Sequence, residues 1–197
     1  MQPILSHAAG LLGGLVVVTT CVWWMLSWML RRRLERLRQL IPKLGGTVGW
    51  RPWWIPCWSG TFEGLPVSVS VVSEWEYLPP SLNVALEIGA SWSLWVARES
   101  RLTGWAKRLG LREVTVHEPL FGRSFLLLSR QPAKAERVLR DAAIQRSIRE
   151  LFAWGCQTLT INQRQLMATK SGVTDQDLGP RTLQQIFAEL RTLRAQP

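Results

Sequence analysis

The chain has 197 residues, enough for one folded domain with a real hydrophobic core, and a formal net charge of +10 at neutral pH. Its three cysteines and two histidines are scattered, without a Cys-x-x-Cys pair, which argues against a zinc or iron–sulfur centre and against a His-based metal site. A strongly basic chain also raises the question of nucleic-acid binding, which depends on where the charge lies.

An apolar run without a charged residue occupies the first 30 positions. Residues 8–30 are almost wholly apolar, and at about 1.5 Å per residue a helix of this length covers the roughly 30 Å hydrocarbon core of a bilayer. A cleaved signal peptide would carry its positive charge before a shorter apolar region, whereas here the charge follows the run. The pattern therefore predicts a transmembrane anchor over residues 1–30.

A basic amphipathic stalk helix is predicted next, over residues 31–46. Residues 31–43 carry six basic side chains and one Glu, a net +5 that is half of the whole chain's +10. The positive-inside rule places this segment in the cytoplasm, so we predict a single-pass protein of the inner membrane with its N-terminus outside. Because the junction accounts for half of the excess charge, we predict no nucleic-acid partner.

Tryptophans, arginines and spaced leucines around this junction predict a surface that contacts a membrane or a partner. Indole rings favour membrane interfaces, and apolar residues at three- and four-residue spacing form one helix face. That face packs either on the protein's own domain or on a partner. In the Pro-containing loop predicted at residues 50–58, the alternative is that the tryptophans cap the domain core. The predicted interface comprises Trp23, Trp24, Trp28, Arg31, Arg32, Arg33, Leu34, Leu37, Ile41, Trp50, Trp53, Trp54 and Trp58.

Residues 47–197 predict a cytoplasmic α+β domain with a largely antiparallel sheet and two long helices. Alternation of valines and serines over residues 65–72 predicts a strand with one buried face, paired with residues 57–62 through a turn at Glu63-Gly64. Further strands are predicted at residues 82–88, 92–96, 112–117 and 123–128, with a hairpin of residues 157–161 and 165–169. Helices are predicted at residues 99–109, 132–154 and 180–193.

Several motifs resemble those of a loosely defined group of uncharacterised bacterial membrane-anchored α+β domains. The similarity spans roughly residues 37–195, and it implies the domain layout but no activity and no site. The group usually has an aromatic-Asp pair where this chain has Phe121-Gly122. The motifs are Leu40–Gly46, a leucine-rich stretch ending in Gly-Gly; Ser59–Val67, a Gly-aromatic-x-Gly turn; and Val114–Phe125 with Ser129–Ala133 before a long helix.

Candidates for chemistry are few. Glu74 and Glu76 would share one face of a strand, as paired carboxylates for acid–base work do, and His117 ends a predicted strand. Asp175 and Asp177 have a spacing that suits a cation, although such residues more often satisfy backbone donors near a helix start. None of these sets is complete, so we expect no catalytic residue, no metal and no cofactor.

The function predicted from these observations is that of a non-catalytic, single-span accessory or structural subunit of a larger membrane complex. By analogy, the complex is an energy-converting photosynthetic or respiratory assembly. The expected partners are integral-membrane protein subunits and anionic lipid headgroups. One alternative is a membrane-tethered module that binds a ligand or peptide, and another is a membrane-bound enzyme that uses Glu74, Glu76 or His117.

Overall fold

The computed structural model describes residues 2–51, 55–72, 80–98, 111–116 and 119–194. The helices are α1 (Gln2–Arg38), α2 (Ile41–Leu44), α3 (Pro119–Ser124), α4 (Pro132–Val138), α5 (Ala142–Ala153) and α6 (Pro180–Arg194). The strands are β1 (Thr47–Arg51), β2 (Ile55–Phe62), β3 (Leu65–Val72), β4 (Ser81–Leu86), β5 (Leu94–Arg98), β6 (Arg112–Glu113), β7 (Phe125–Ser129), β8 (Thr158–Ile161) and β9 (Leu166–Ser171).

The strands of the described residues form one nine-stranded sheet in the order β1-β2-β3-β4-β9-β8-β5-β7-β6. Every neighbouring pair is antiparallel, as predicted. The two predicted hairpins are confirmed as β2–β3 and β8–β9. Strands β4 and β5 follow each other in the chain but are not neighbours in the sheet, because β4 pairs with β3 and β9 whereas β5 pairs with β7 and β8.

The main hydrophobic core lies on one face of this sheet, under the C-terminal part of α1 and under α6. Trp58 of β2 and Phe187 of α6 stack with ring centroids 6.4 Å apart, and Phe62 lies 5.6 Å from the same ring. Full burial of each such side chain contributes about 1.5–3 kcal/mol. Helix α6 is therefore held on the sheet by the aromatic residues of β2.

The helix predicted at residues 132–154 is two helices, α4 and α5. The break lies at Leu139–Asp141, where the Asp141 carboxylate accepts a hydrogen bond from the Ala143 N–H at 2.7 Å and so caps α5. The loop predicted at residues 50–58 is corrected as well, because its described parts belong to β1 and β2. The helix predicted at residues 99–109 lies outside the described residues, whereas the predicted last helix is confirmed as α6.

The helical N-terminal segment ends at a Gly-Gly pair, as the sequence predicted. Gly45 and Gly46 both have positive φ, 70° and 83°. A Cβ at Gly46 would lie 2.3 Å from the Ser59 carbonyl oxygen of β2, so only glycine lets the chain turn this closely against the sheet.

The transmembrane anchor predicted for residues 1–30 is wrong. Across the described part of the chain, no helix combines the length and the apolar character that crossing a bilayer requires. The predicted fold class is therefore corrected to an antiparallel α+β fold without the spanning helix. The single-pass inner-membrane localisation is wrong too, and the predicted orientation loses its basis, because the positive-inside rule orients only spans.

Candidate functional site

Most of the large apolar side chains that are exposed among the described residues lie on α1, between Val16 and Trp28. This helix has 37 residues and is about 55 Å long. Trp23 and Trp24 are 71% and 68% exposed, and Val16 is 61% exposed. Single exposed apolar residues are ordinary on a protein surface, whereas these follow one another along a single helix. We call residues 16–28 the apolar segment of α1.

The C-terminal part of the same helix is fixed in the domain. Leu37 and Leu40, the latter just beyond the end of α1, are 0% and 1% exposed and belong to the main core. The Arg36 Nε lies 3.8 Å from the Asp175 carboxylate, in the loop before α6. Of the two alternatives for the leucine stripe, packing on the protein's own domain is therefore correct for Leu37, and Leu34 is half-buried.

Exposed arginines directly follow the apolar segment. Arg31 and Arg32 are exposed, and the Arg32 guanidinium lies 3.8 Å from the centroid of the Trp28 ring, a cation–π distance. The side chain of Arg33 lies outside the described residues. Among the predicted interface residues of α1 with described side chains, Leu37 is buried, Leu34 is half-buried, and the others are exposed: Trp23, Trp24, Trp28, Arg31 and Arg32.

The tryptophans predicted in the loop of residues 50–58 do not share one surface. Trp58 is 1% exposed, and its indole N–H donates to the Gly45 carbonyl oxygen at 2.9 Å, so this predicted interface residue is a core residue. Trp50 is 49% exposed on β1. Ile41 of α2 is 38% exposed. Trp53 and Trp54 lie outside the described residues, so their predicted role stays a prediction.

The two buried cysteines lie in the packed interior of the domain. Cys57 and Cys156 are 3% and 1% exposed, whereas Cys21 is exposed within the apolar segment of α1. The Cys156 thiol donates to the Thr158 carbonyl oxygen at 2.8 Å. Burial raises the pKa of Cys156 to about 12, against the lowering effect of backbone hydrogen bonds and of Arg98. A thiol in this state does not supply a nucleophile at neutral pH.

The acidic residues predicted as cation candidates are engaged by the protein itself. Asp177 is 4% exposed, lies 2.5 Å from the Lys170 Nζ and accepts from the Thr174 N–H and hydroxyl at 2.8 Å each. Burial raises the pKa of Asp177, but Lys170 and these hydrogen bonds outweigh it and hold that pKa below its usual value. Asp175 faces Arg36. The Asp177 carboxylate therefore stabilises the loop before α6, whereas Asp175 makes only a long, exposed pair with Arg36.

The remaining candidates for chemistry, Glu74, Glu76 and His117, lie outside the described residues, so their predicted roles stay predictions. Within the ranges that the structure describes, no group of three His, Cys, Asp or Glu side chains is placed to hold a metal ion.

A cavity of about 650 Å³ lies where β5 begins and where β7 and β8 end. Sequence reasoning missed it, although it predicted the β8–β9 turn that forms one wall. Its residues come from segments up to about 70 positions apart, because the cavity exists only through the order of the strands. Its polar and aromatic lining residues include Ser93, Trp95, Ser129, Arg130, Thr160 and Arg164.

Comparison with known proteins bears on the fold. No family model and no curated protein matches this chain. A similar solved structure is the crystal structure of the mycobacterial trehalose monomycolate transport factor A, TtfA, with a TM-score of 0.50 and 13% sequence identity. The similarity covers 85% of this chain and 99% of that chain. At this identity it shows that the two proteins share a fold.

The comparison also corrects the predicted class of assembly. The similar structure is that of a transport factor and not of a photosynthetic or respiratory subunit. The analogy with energy-converting complexes is therefore wrong, because it rested on the anchor and the tryptophans and on no feature of the domain.

Proposed function

We propose that this protein is a non-catalytic accessory factor that docks onto a larger membrane-protein assembly through the apolar segment of α1. One observation carries the proposal: Trp23 and Trp24 are 71% and 68% exposed on a helix whose other end is fixed in the domain core by Leu37. Burial of apolar surface contributes roughly 25 cal/mol per Å². A partner that covers this segment gains that free energy without first ordering the helix, since the domain already holds it.

The occupant that fits is an integral-membrane subunit that offers apolar helices with carboxylates near their ends. Valine and tryptophan side chains suit packing on an apolar helix, and tryptophan and arginine are the residues that most often dominate binding energy at interfaces. Arg31 and Arg32 follow Trp28 within one helical turn. Their charges match acidic side chains and set the register of the docked helix.

The fold shared with this transport factor supports an accessory role for the chain as well. The similar structure belongs to a protein described as a transport factor for trehalose monomycolate. We extend to this chain only the coarser role, a factor that assists membrane-related transport without catalysing a reaction. A ligand-binding role is the second candidate, favoured by the cavity between β5, β7 and β8.

The test compares assemblies extracted gently from cells that express the full chain. In native electrophoresis we expect the wild type to migrate with an integral-membrane protein and the Trp23→Ser/Trp24→Ser variant to migrate alone. Trp50→Ser is the matched control, because it removes a half-exposed tryptophan from β1 and should leave the assembly intact. A photo-crosslinker on the exposed Cys21 should join the chain to an apolar helix of the same partner.

Two outcomes would overturn the proposal. The first is migration of the double variant with the partner at the wild-type ratio. The second is binding of the purified wild type to protein-free vesicles of anionic lipid with the same dependence on Trp23 and Trp24, which would make a lipid surface the occupant.

A further inference from the structure

The cavity between β5, β7 and β8 has an apolar floor that is separate from the main core. Trp95 lies opposite Thr160 of β8 and opposite Leu128 of β7 in the register of the sheet, so these three side chains share one face. Trp95 and Leu111 are partly buried and pack against a small cluster formed by Leu126 and Leu128. This face of the sheet therefore offers apolar surface to a ligand without opening the core.

The rim of the cavity is basic. Arg130 and Arg164 are exposed, and no described carboxylate lies within ion-pair distance of either of them. None of the residues that line the cavity is acidic, and Lys134 brings a third positive charge close by, since its Nζ donates to the Ser91 carbonyl oxygen at 2.9 Å. Glu113, opposite Leu128 in the β6–β7 register, is exposed and is not part of the lining.

Both arginines stand on turns that the fold holds in place. The buried Ser129 hydroxyl donates to the Ser93 carbonyl oxygen at 2.6 Å and accepts from the Gln131 N–H at 2.9 Å, which fixes the backbone on both sides of Arg130. The Asn162 side chain accepts from the Arg164 N–H at 2.8 Å.

The turn that carries Arg164 is also held by the chain segment that follows β4. A Cβ at Gly89 would lie 1.9 Å from the Gln163 carbonyl carbon, so the chain after β4 packs directly on this turn. Pre-ordered turns lower the entropy cost of binding.

We propose that this cavity binds an anionic amphiphile, with its carboxylate or phosphate group on Arg130 and Arg164 and its hydrocarbon part on Trp95, Leu111 and Leu128. A volume of about 650 Å³ falls in the range of small-molecule sites. Guanidinium groups suit both head groups because they bind carboxylate and phosphate oxygens in the same forked geometry. This site does not depend on the apolar segment of α1, so the two proposals stand or fall separately.

The test is calorimetric titration of the full chain with decyl phosphate and with decanoate, below their micelle concentrations. Inorganic phosphate and decanol are the probes for the head group alone and the chain alone, and each should bind at least tenfold more weakly. A series of shorter alkyl phosphates should lose affinity by about two- to fourfold per methylene removed. Inorganic phosphate that binds as tightly as decyl phosphate would overturn the proposal in favour of a simple anion site.

Matched variants locate the binding. Arg130→Gln/Arg164→Gln should weaken decyl phosphate at least tenfold, whereas Arg146→Gln/Arg181→Gln removes the same charge from exposed positions and should leave affinity unchanged. Equal affinity of the first variant and the wild type would overturn the proposal. So would a loss of binding in the Trp23→Ser/Trp24→Ser variant, which would place the amphiphile on α1.

Discussion

The two parts of α1 both carry large apolar side chains, but their surroundings are opposite. Residues 16–28 keep their valines and tryptophans exposed, whereas Leu37 and the following Leu40 are buried completely against the sheet. The difference does not come from hydrophobicity, because the exposed part is the more apolar of the two. It comes from which part the domain can reach: the chain reverses at Gly45-Gly46 and brings β1 and β2 back along the last turns of the helix only.

The buried part of α1 makes contacts that stabilise the folded domain, whereas the exposed part leaves an apolar surface that a partner can cover. The buried part contributes free energy to folding, and its loss should be seen in the isolated protein. The exposed part contributes nothing to folding that the described contacts reveal, so its loss should be seen in assembly. The predictions that follow test this separation.

The largest expected effect is on thiol reactivity, where Cys21 in the exposed part contrasts with the buried Cys57 and Cys156. With a pKa of about 12, Cys156 should react on the order of a thousandfold more slowly at about pH 8 than an ordinary thiol. Titration with an aromatic disulfide should therefore modify one thiol in the native protein and all three after denaturation. Rapid modification of a second native thiol would contradict the separation.

The pH dependence of this thiol has a definite sign. Its folded-state pKa lies above the value of an ordinary thiol, so the stability that Cys156 contributes is complete below about pH 8.5 and is lost as the pH rises toward 12. Between about pH 8.5 and pH 12, the free energy of unfolding should fall less steeply in Cys156→Ser than in the wild type. Urea unfolding followed by circular dichroism measures this difference.

The next effect is on the free energy of unfolding. Leu37→Ala should lower it by about 2–5 kcal/mol, because it leaves a cavity between α1 and the sheet. Trp24→Ala removes a larger side chain from the exposed part and should change the same quantity by less than about 0.5 kcal/mol. Urea unfolding followed by far-ultraviolet circular dichroism measures both, and equal losses would show that the two parts are equally packed.

A smaller loss in the free energy of unfolding is expected from substitutions in the loop before α6, which meets the buried part of α1. Asp177→Asn should cost about 2 kcal/mol, because it leaves the largely buried Lys170 without its counterion. Asp175→Asn is the control: the Asp175 side chain is 88% exposed and its pair with Arg36 is 3.8 Å long, so a change below about 0.5 kcal/mol is expected.

The pH dependence of Asp177 provides a second check. Its pKa in the folded protein is lowered, so its stabilising contribution is complete above about pH 4, the value of the unfolded chain, and is lost as the pH falls through the folded-state pKa. The stability difference between the wild type and Asp177→Asn should therefore shrink in acid. A difference that stays constant with pH would show that the ion pair with Lys170 is not its source.

Local features were predicted well. The β2–β3 turn at Glu63-Gly64, the β8–β9 turn at Asn162 and helix α6 each follow from neighbouring residues, and all are present. The break before α5 was missed although Asp141 is a good N-cap residue, because the apolar stripe continues across it.

Features that join distant parts of the chain were not predicted. The burial of Trp58 depends on α6, more than 100 residues later, and the cavity depends on strand order, which brings Arg130 and Arg164 to the same cavity. No local pattern contains these contacts, since strand order is set by long-range pairing and by which faces become buried together.

The sequence by itself determined the antiparallel α+β domain, its hairpins and the concentration of basic charge after an apolar run, because periodicity, turn residues and charge are local properties. Only the tertiary structure decided which of the apolar residues are core and which are surface. Leu37 and Trp58 are buried and Trp23 and Trp24 are not, because burial depends on what the folded chain places opposite each side chain.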